Sequence, residues 1–176
     1  MSLTLAVVSF PHLDQQAVQV IQQHRERYDT AHFQMIAPHI TFVFPCFAFT
    51  SEEFCNAILN QIASINSFEM EFNTACVVQD SFSANYHLFL IADKGNSTCY
   101  RIHDLLYDSI LLPERRFDIA YIPHLRMGTY VSSVEAQQAA NDWNKHALTI
   151  NAKIDALTII QLDQHQVSII KQLQLH

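Results

Sequence analysis

Apolar positions along the chain alternate between strand-like and helix-like spacing. Residues 3–10 (LTLAVVSF) form an unbroken apolar run of strand length, closed by Pro11. From Asp14 the spacing changes, and Leu13, Ala17, Ile21, His24 and Tyr28 fall on one stripe of a helix. The segment PHITFVF (38–44) is extended again. Thr50-Ser51-Glu52-Glu53 has the form of a capping box, continued by Phe54, Ile58, Ile62 and Ile65 as an amphipathic helix. Phe68, Met70 and Phe72 alternate as a strand, and YHLFLIA (86–92) is another. The turn Asp93-Lys94-Gly95-Asn96 leads into a helix over 97–111 that Pro113 ends. The second half then repeats the order. PHLRMGTY (123–130) is strand-like, Ser132-Ser133-Val134-Glu135 is a second capping box, and a helix runs to His146. Two strands, 150–161 and 167–174, close the chain with His165 in the turn between them.

Neighbouring strands joined by short turns (68–78 with 86–92, and the last two) imply antiparallel pairing. No linker, charge run or low-complexity stretch divides the 176 residues, so the expectation is one α+β domain over 1–176 whose halves echo each other. Hydrophobic residues at 49% and charged residues at 15% supply a sizeable core.

Composition excludes several classes of function. With only Gly95 and Gly128, the chain cannot write a Rossmann fingerprint, a Walker loop or a nucleophile elbow, each of which needs several glycines. Ten Lys and Arg against 17 Asp and Glu give a formal charge of −7, with no basic stripe to release counterions from a long nucleic acid. A small anionic ligand held by a few placed groups remains compatible with that balance. Cys46, Cys55, Cys76 and Cys99 contain no C-x-x-C pair and sit in apolar surroundings, as reduced thiols do. The opening MSLTLAVVSFPHLDQQ lacks a basic n-region, and no stretch reaches the ~18 apolar residues of a membrane span. The expectation is a cytoplasmic monomer that binds no membrane.

The echo between the halves centres on Pro38-His39-Ile40-Thr41 and Pro123-His124-Leu125-Arg126. Each proline disfavours helix at the residue before it and leads into an extended run. Side chains two apart on a strand share a face. His39, Thr41 and Val43 therefore share one face, with Ile40, Phe42 and Phe44 on the other. In the same way His124, Arg126, Gly128 and Tyr130 stand opposite Leu125 and Met127. Two imidazoles flanking a phosphodiester can act as general base toward water and general acid toward the leaving oxygen, each worth roughly 10²–10⁴-fold. A hydroxyl or guanidinium two residues on can hold the non-bridging oxygens. Against this stand the ten histidines of the chain, most of which must serve packing or solvation, and a third Pro-His pair, Pro11-His12, which precedes a helix. His12 and His87 read as structural, Arg101 and His103 as the polar face of a helix. Arg115-Arg116 reads as a solvated turn or an anion-attracting loop. No HxxxH or HExxH spacing supports a helical zinc site.

PHITFVFP resembles the first signature of the 2H phosphoesterases (the 2′-5′ RNA ligase-like, or LigT-like, superfamily). That signature is Pro-His-aliphatic-Thr/Ser followed by apolar residues and repeated in the second half. PHLRMGTY lies where the repeat should fall and matches it in part. The resemblance implies a bilobed, duplicated fold in which each half supplies a mainly antiparallel sheet. The two sheets would flank a central cleft, with helices outside. It further implies metal-independent, cofactor-free phosphodiester chemistry on a small nucleotide or RNA-end substrate, a 2′,3′-cyclic phosphate or a 2′-5′ linkage. Carried over, His39 and His124 are the acid/base pair and Thr41 a phosphate-oxygen donor. Which histidine is acid and which base depends on substrate polarity. Arg126 stands where the family has Thr or Ser; it keeps the donor role, adds charge, and would favour a more anionic ligand such as a terminal phosphate. It would equally suit a nucleotide-binding protein with weakened catalysis. Tyr130 would be placed to stack on a base or ribose. A plain α+β interaction module with incidental histidines is the remaining reading.

Overall fold

The computed structural model describes residues 4–163 and 166–176, so the turn assigned to His165 lies outside the described residues. The element order is β1 (Thr4–Ser9), β2 (His12–Leu13), α1 (Gln15–Tyr28), α2 (Thr30–Met35), β3 (Ile40–Cys46), α3 (Ser51–Ile62), β4 (Phe68–Gln79), β5 (Tyr86–Lys94), α4 (Asn96–Tyr107), a 3-10 turn (Leu112–Glu114), β6 (His124–Tyr130), α5 (Ser133–Lys145), β7 (Ile150–Ile154), β8 (Ala156–Asp163) and β9 (Gln166–Gln174). The strands form two antiparallel sheets, one of order β3-β1-β8-β9 and one of order β2-β7-β4-β5-β6. Helices α3 and α4 pack on the first sheet and α1 and α5 on the second, so the fold is α+β with two sheets and outer helices.

Local signals place most elements. Thr50 Oγ1 accepts from Glu53 N at 3.2 Å while Glu53 Oε2 accepts from Thr50 N at 2.9 Å, which completes the first capping box. Ser132 Oγ accepts from Glu135 N at the start of α5. Gly95 begins α4 with φ +86°, a left-handed conformation that costs glycine nothing.

Four expectations are corrected. The run 150–161 is two strands in different sheets: β7 buries alternate residues, whereas β8 is buried on both faces between β1 and β9. In consequence neither sheet belongs to one half of the chain, since β1 and β3 join β8 and β9 while β2 and β7 join β4–β6. Helix α4 ends at Tyr107, before Pro113, because Ser109 Oγ donates to Leu106 O and accepts from Leu111 N, turning the chain early. The buried stripe of α1 is Ala17, Ile21 and Arg25, not one continued by Tyr28, and α2 follows it at once.

Two bulges decide what faces the cleft. In β3 the pairing moves from Val8↔Thr41 to Val7↔Val43, so Phe42 and Val43 both enter the core and Val43 leaves the Thr41 face. In β6 it moves from Phe89↔Arg126 to Leu88↔Gly128, so Met127 and Gly128 are both buried. Beyond that slip Thr129 lies on the Arg126 face, while Gly128 and Tyr130 lie on the core face.

Candidate active site

The motif strands β3 and β6, one from each sheet, come together across the molecule. His39 immediately precedes β3 and His124 opens β6; both side chains are half-buried. Each ring is fixed in the same way, by a bond to the carbonyl before its proline. His39 Nδ1 donates to Ala37 O at 2.9 Å, and His124 Nδ1 donates to Ile122 O at 2.5 Å. A carbonyl can only accept, so each Nδ1 carries the proton and each neutral ring presents an Nε2 lone pair. Aromatic neighbours hold the rings from the side: Phe89 stacks on His124 with centroids 3.5 Å apart, and Phe10 meets His39 edge-on at 6.2 Å.

Burial pushes His39 down to about 4; Arg25, His32 and Arg126 nearby add to this, and the bond to Ala37 opposes it. Burial also pushes His124 down to about 4, helped by His39, Arg126 and His87 and opposed by the bond to Ile122. The two rings thus act on each other electrostatically, and both are neutral near pH 7 in the unliganded protein.

Thr41 is half-buried on the cleft face of β3, opposite Val8, and its carbonyl accepts from Tyr121 Oη at 3.0 Å. Tyr121 stacks on His103 at 3.8 Å, and His103 Nδ1 donates to Phe42 O at 2.8 Å. His103 is therefore a buried brace for β3 and not part of a solvated helix face.

Arg126 is set by a buried network that the sequence pattern did not reveal. Its Nε lies 3.2 Å from Asp29 Oδ1, and its Nη2 donates to Thr129 Oγ1 at 2.6 Å. Asp29, whose side chain is 1% exposed, also faces His32 Nδ1 at 3.3 Å, Thr129 Oγ1 at 3.3 Å and Arg25 Nε at 3.7 Å. Burial alone would raise the Asp29 carboxyl, but the bond from His32 and the charges of Arg126, His32 and Arg25 outweigh it and hold the group below the usual range. Arg25 is itself buried and donates to the carbonyls of His32 and Ile36, tying α1 to α2. The spacing Arg25-x-x-x-Asp29 was visible as an i,i+4 pair, yet nothing in it marked the pair as buried beneath Arg126.

His87, read from sequence as structural, lies on the Arg126 face. It pairs with Thr129 across β5 and β6 and stacks on Phe89, which stacks on His124. Tyr130, expected to stack on a ligand, is instead buried against α1: its hydroxyl bonds His24 Nε2 at 3.2 Å and its ring stacks on Tyr28. The bulge in β6 is the reason, and it also moves Thr129 onto the face from which plain alternation excludes it. Arg115 is paired with Asp104 and Arg116 with Asp118, so that loop offers no uncompensated positive charge. Among the described residues no three His, Cys, Asp or Glu side chains gather as a metal-ligand set, and no helix is long and apolar enough to cross a membrane.

A family model for the 2′-5′ RNA ligase superfamily matches residues 10–166. LigT of E. coli in complex with 3′-AMP superposes with a TM-score of 0.59 at 14% identity, covering 99% of both chains. TT0787 of Thermus thermophilus gives 0.63 at 9% identity over 98% of this chain and 97% of that one. Usb1 of Kluyveromyces marxianus gives 0.59 at 10% identity over 98% of each. No curated protein sequence matches. At these identities the structural likeness establishes the shared fold.

Proposed function

Because the chain belongs to the 2′-5′ RNA ligase superfamily, whose members include phosphoesterases and RNA ligases, we propose that it is a metal-independent phosphoesterase acting on a small nucleotide or RNA end carrying a 2′,3′-cyclic phosphate or a 2′-5′ linkage. One observation carries this reading above the others. Two imidazoles at matching positions of two strands that meet across the sheets are locked in the same tautomer, with Nε2 left free on each, and His39 acts electrostatically on His124. A packed or solvated histidine has no need of that matched arrangement.

In the proposed reaction one Nε2 removes a proton from water as the water oxygen attacks phosphorus. The other ring, protonated, gives its proton to the departing ribose oxygen, so that the P–O bond breaks with no net charge left on the sugar. Both rings are neutral without ligand, and the acid is charged only when an anion is bound. A phosphodiester bound between them is that anion; it raises the pKa of the ring beside it, which takes its proton from solvent. Thr41 holds the reacting phosphate, and Arg126 is a second phosphate-holding group. LigT forms a complex with 3′-AMP, a product-like ligand for such chemistry, which supports the choice of substrate class.

The test is hydrolysis of 2′,3′-cyclic nucleotides in EDTA by wild type, His39→Ala and His124→Ala. The proposal expects chelator-resistant turnover that falls by at least about 10²-fold in each variant, with unfolding curves showing both variants folded. Turnover abolished by EDTA, or retained by either variant, refutes it. Nucleotide-dependent thermal stabilisation without product would assign the cleft to binding alone.

A further inference from the structure

An open pocket of about 520 Å³ lies beside the histidine pair, and neither His39, His124 nor Thr41 lines it. Its walls come from the α1–α2 junction (Asp29, His32), the β4–β5 hairpin (Asp80, Phe82), β5 (His87) and β6 (Arg126, with Thr129). We propose that this pocket is a second phosphate site, in which Arg126 holds a phosphate group of the substrate other than the one that reacts. The inference rests on the phosphoesterase reading and gives Arg126 its particular phosphate.

Three features support it. First, Arg126 is held rigid from behind, with Nε at Asp29 and Nη2 at Thr129, while its remaining nitrogen, Nη1, has a long 3.4 Å contact to His32 Nε2. A charged oxygen is a far better acceptor for Nη1 than a ring nitrogen at that distance. Second, the acids near Arg126 are engaged elsewhere. Arg25 and Arg126 share the buried carboxylate of Asp29, which also faces His32 and Thr129. Asp80, the other acid in the wall, is occupied by its own turn, accepting from Ser83 Oγ at 2.5 Å and Phe82 N at 3.1 Å and facing His87. Third, the spacing suits a second group on the same molecule. Arg126 follows His124 by two residues, about 6–7 Å along the strand, and points into the neighbouring space and not between the imidazoles.

The substrate class is therefore a nucleotide with two phosphates: the reacting diester, and either a terminal phosphomonoester or the next backbone diester of an RNA end. Mononucleotides whose one phosphate is the cyclic diester would leave the pocket unfilled.

Calorimetric binding of adenosine 3′-monophosphate, adenosine 3′,5′-bisphosphate and the dinucleotide ApA 3′-phosphate at fixed ionic strength tests the site without requiring turnover. Wild type is expected to bind at least one two-phosphate probe about tenfold or more tightly than the monophosphate. Arg126→Ser should bring that ratio near one. Gain with the bisphosphate alone identifies a terminal monoester, gain with the dinucleotide alone identifies an RNA backbone, and gain with both identifies any second phosphate. Thr129→Val leaves every charge in place while freeing the guanidinium; it should lower the ratio severalfold and carries the test if Arg126→Ser does not fold. A wild-type ratio near one for both probes, or a ratio unchanged in the variants, overturns the proposal. Absence of hydrolysis would refute the phosphoesterase reading while leaving these ratios intact, so the two failures are distinguishable.

Discussion

Replacing His124 with Asn should make the protein less sensitive to acid. Burial beneath the cleft and beside Phe89 holds the folded-state pKa of His124 at about 4, against 6.5 for an ordinary histidine. Between these values the unfolded chain binds a proton that the native protein does not, so stability falls as pH drops from above 6.5 toward 4. Linkage between pH 7.5 and pH 4.5 then gives a loss of about 2–3 kcal/mol from this one residue. Asparagine does not titrate, and its amide can still donate to the carbonyl of Ile122 that His124 Nδ1 now occupies. Urea denaturation of wild type and His124→Asn at the two pH values isolates the effect, because the other shifted groups, His24, His87 and Asp29 among them, are common to both. Wild type should lose about 2–3 kcal/mol more than the variant over that interval. Saturating 3′-AMP should reduce the difference by stabilising the protonated ring. Equal losses in the two proteins would show that His124 is not desolvated in the native state, and the claim that both rings are neutral before ligand binds would fall with it.

Phe89→Leu should retain the fold but raise the pKa of His124 by admitting water to its ring, an upward shift visible by NMR titration and accompanied by a lower kcat as the imidazole loses its stacked support. Gly95→Ala should destabilise by about 2 kcal/mol or more in chemical denaturation, since Gly95 has φ +86° and an added Cβ would lie 2.6 Å from the Glu69 carbonyl oxygen. Thr50→Ala should cost about 1 kcal/mol in the same assay by removing the hydroxyl half of the α3 capping box, with no effect on nucleotide binding.

Sequence alone determined the parts of this protein that depend on neighbouring residues. Pro38-His39 and Pro123-His124 announced two extended segments with a histidine at the start of each, because proline acts on the residue beside it and strand faces alternate over two positions. The α3 capping box, the serine N-cap of α5, the helix-initiating Gly95 and the lack of glycine-rich motifs were legible for the same reason. The tertiary structure decided whatever depends on which strands meet. Asp155 divides the extended run 150–161 between two sheets, and only the partners of β7 and β8 show that one strand is covered on a single face and the other on both. The bulge at Met127–Gly128 arises in the pairing of β6 with β5; it sent Tyr130 to the core and brought Thr129 beside Arg126, against the alternation that held for the first three residues. Asp29, one residue past a helix whose polar positions looked solvated, is a buried carboxylate because β6, about 100 positions later, lays Arg126 across it. A charge is tolerable out of water only beside its partners, and partners that distant along the chain become neighbours only through folding.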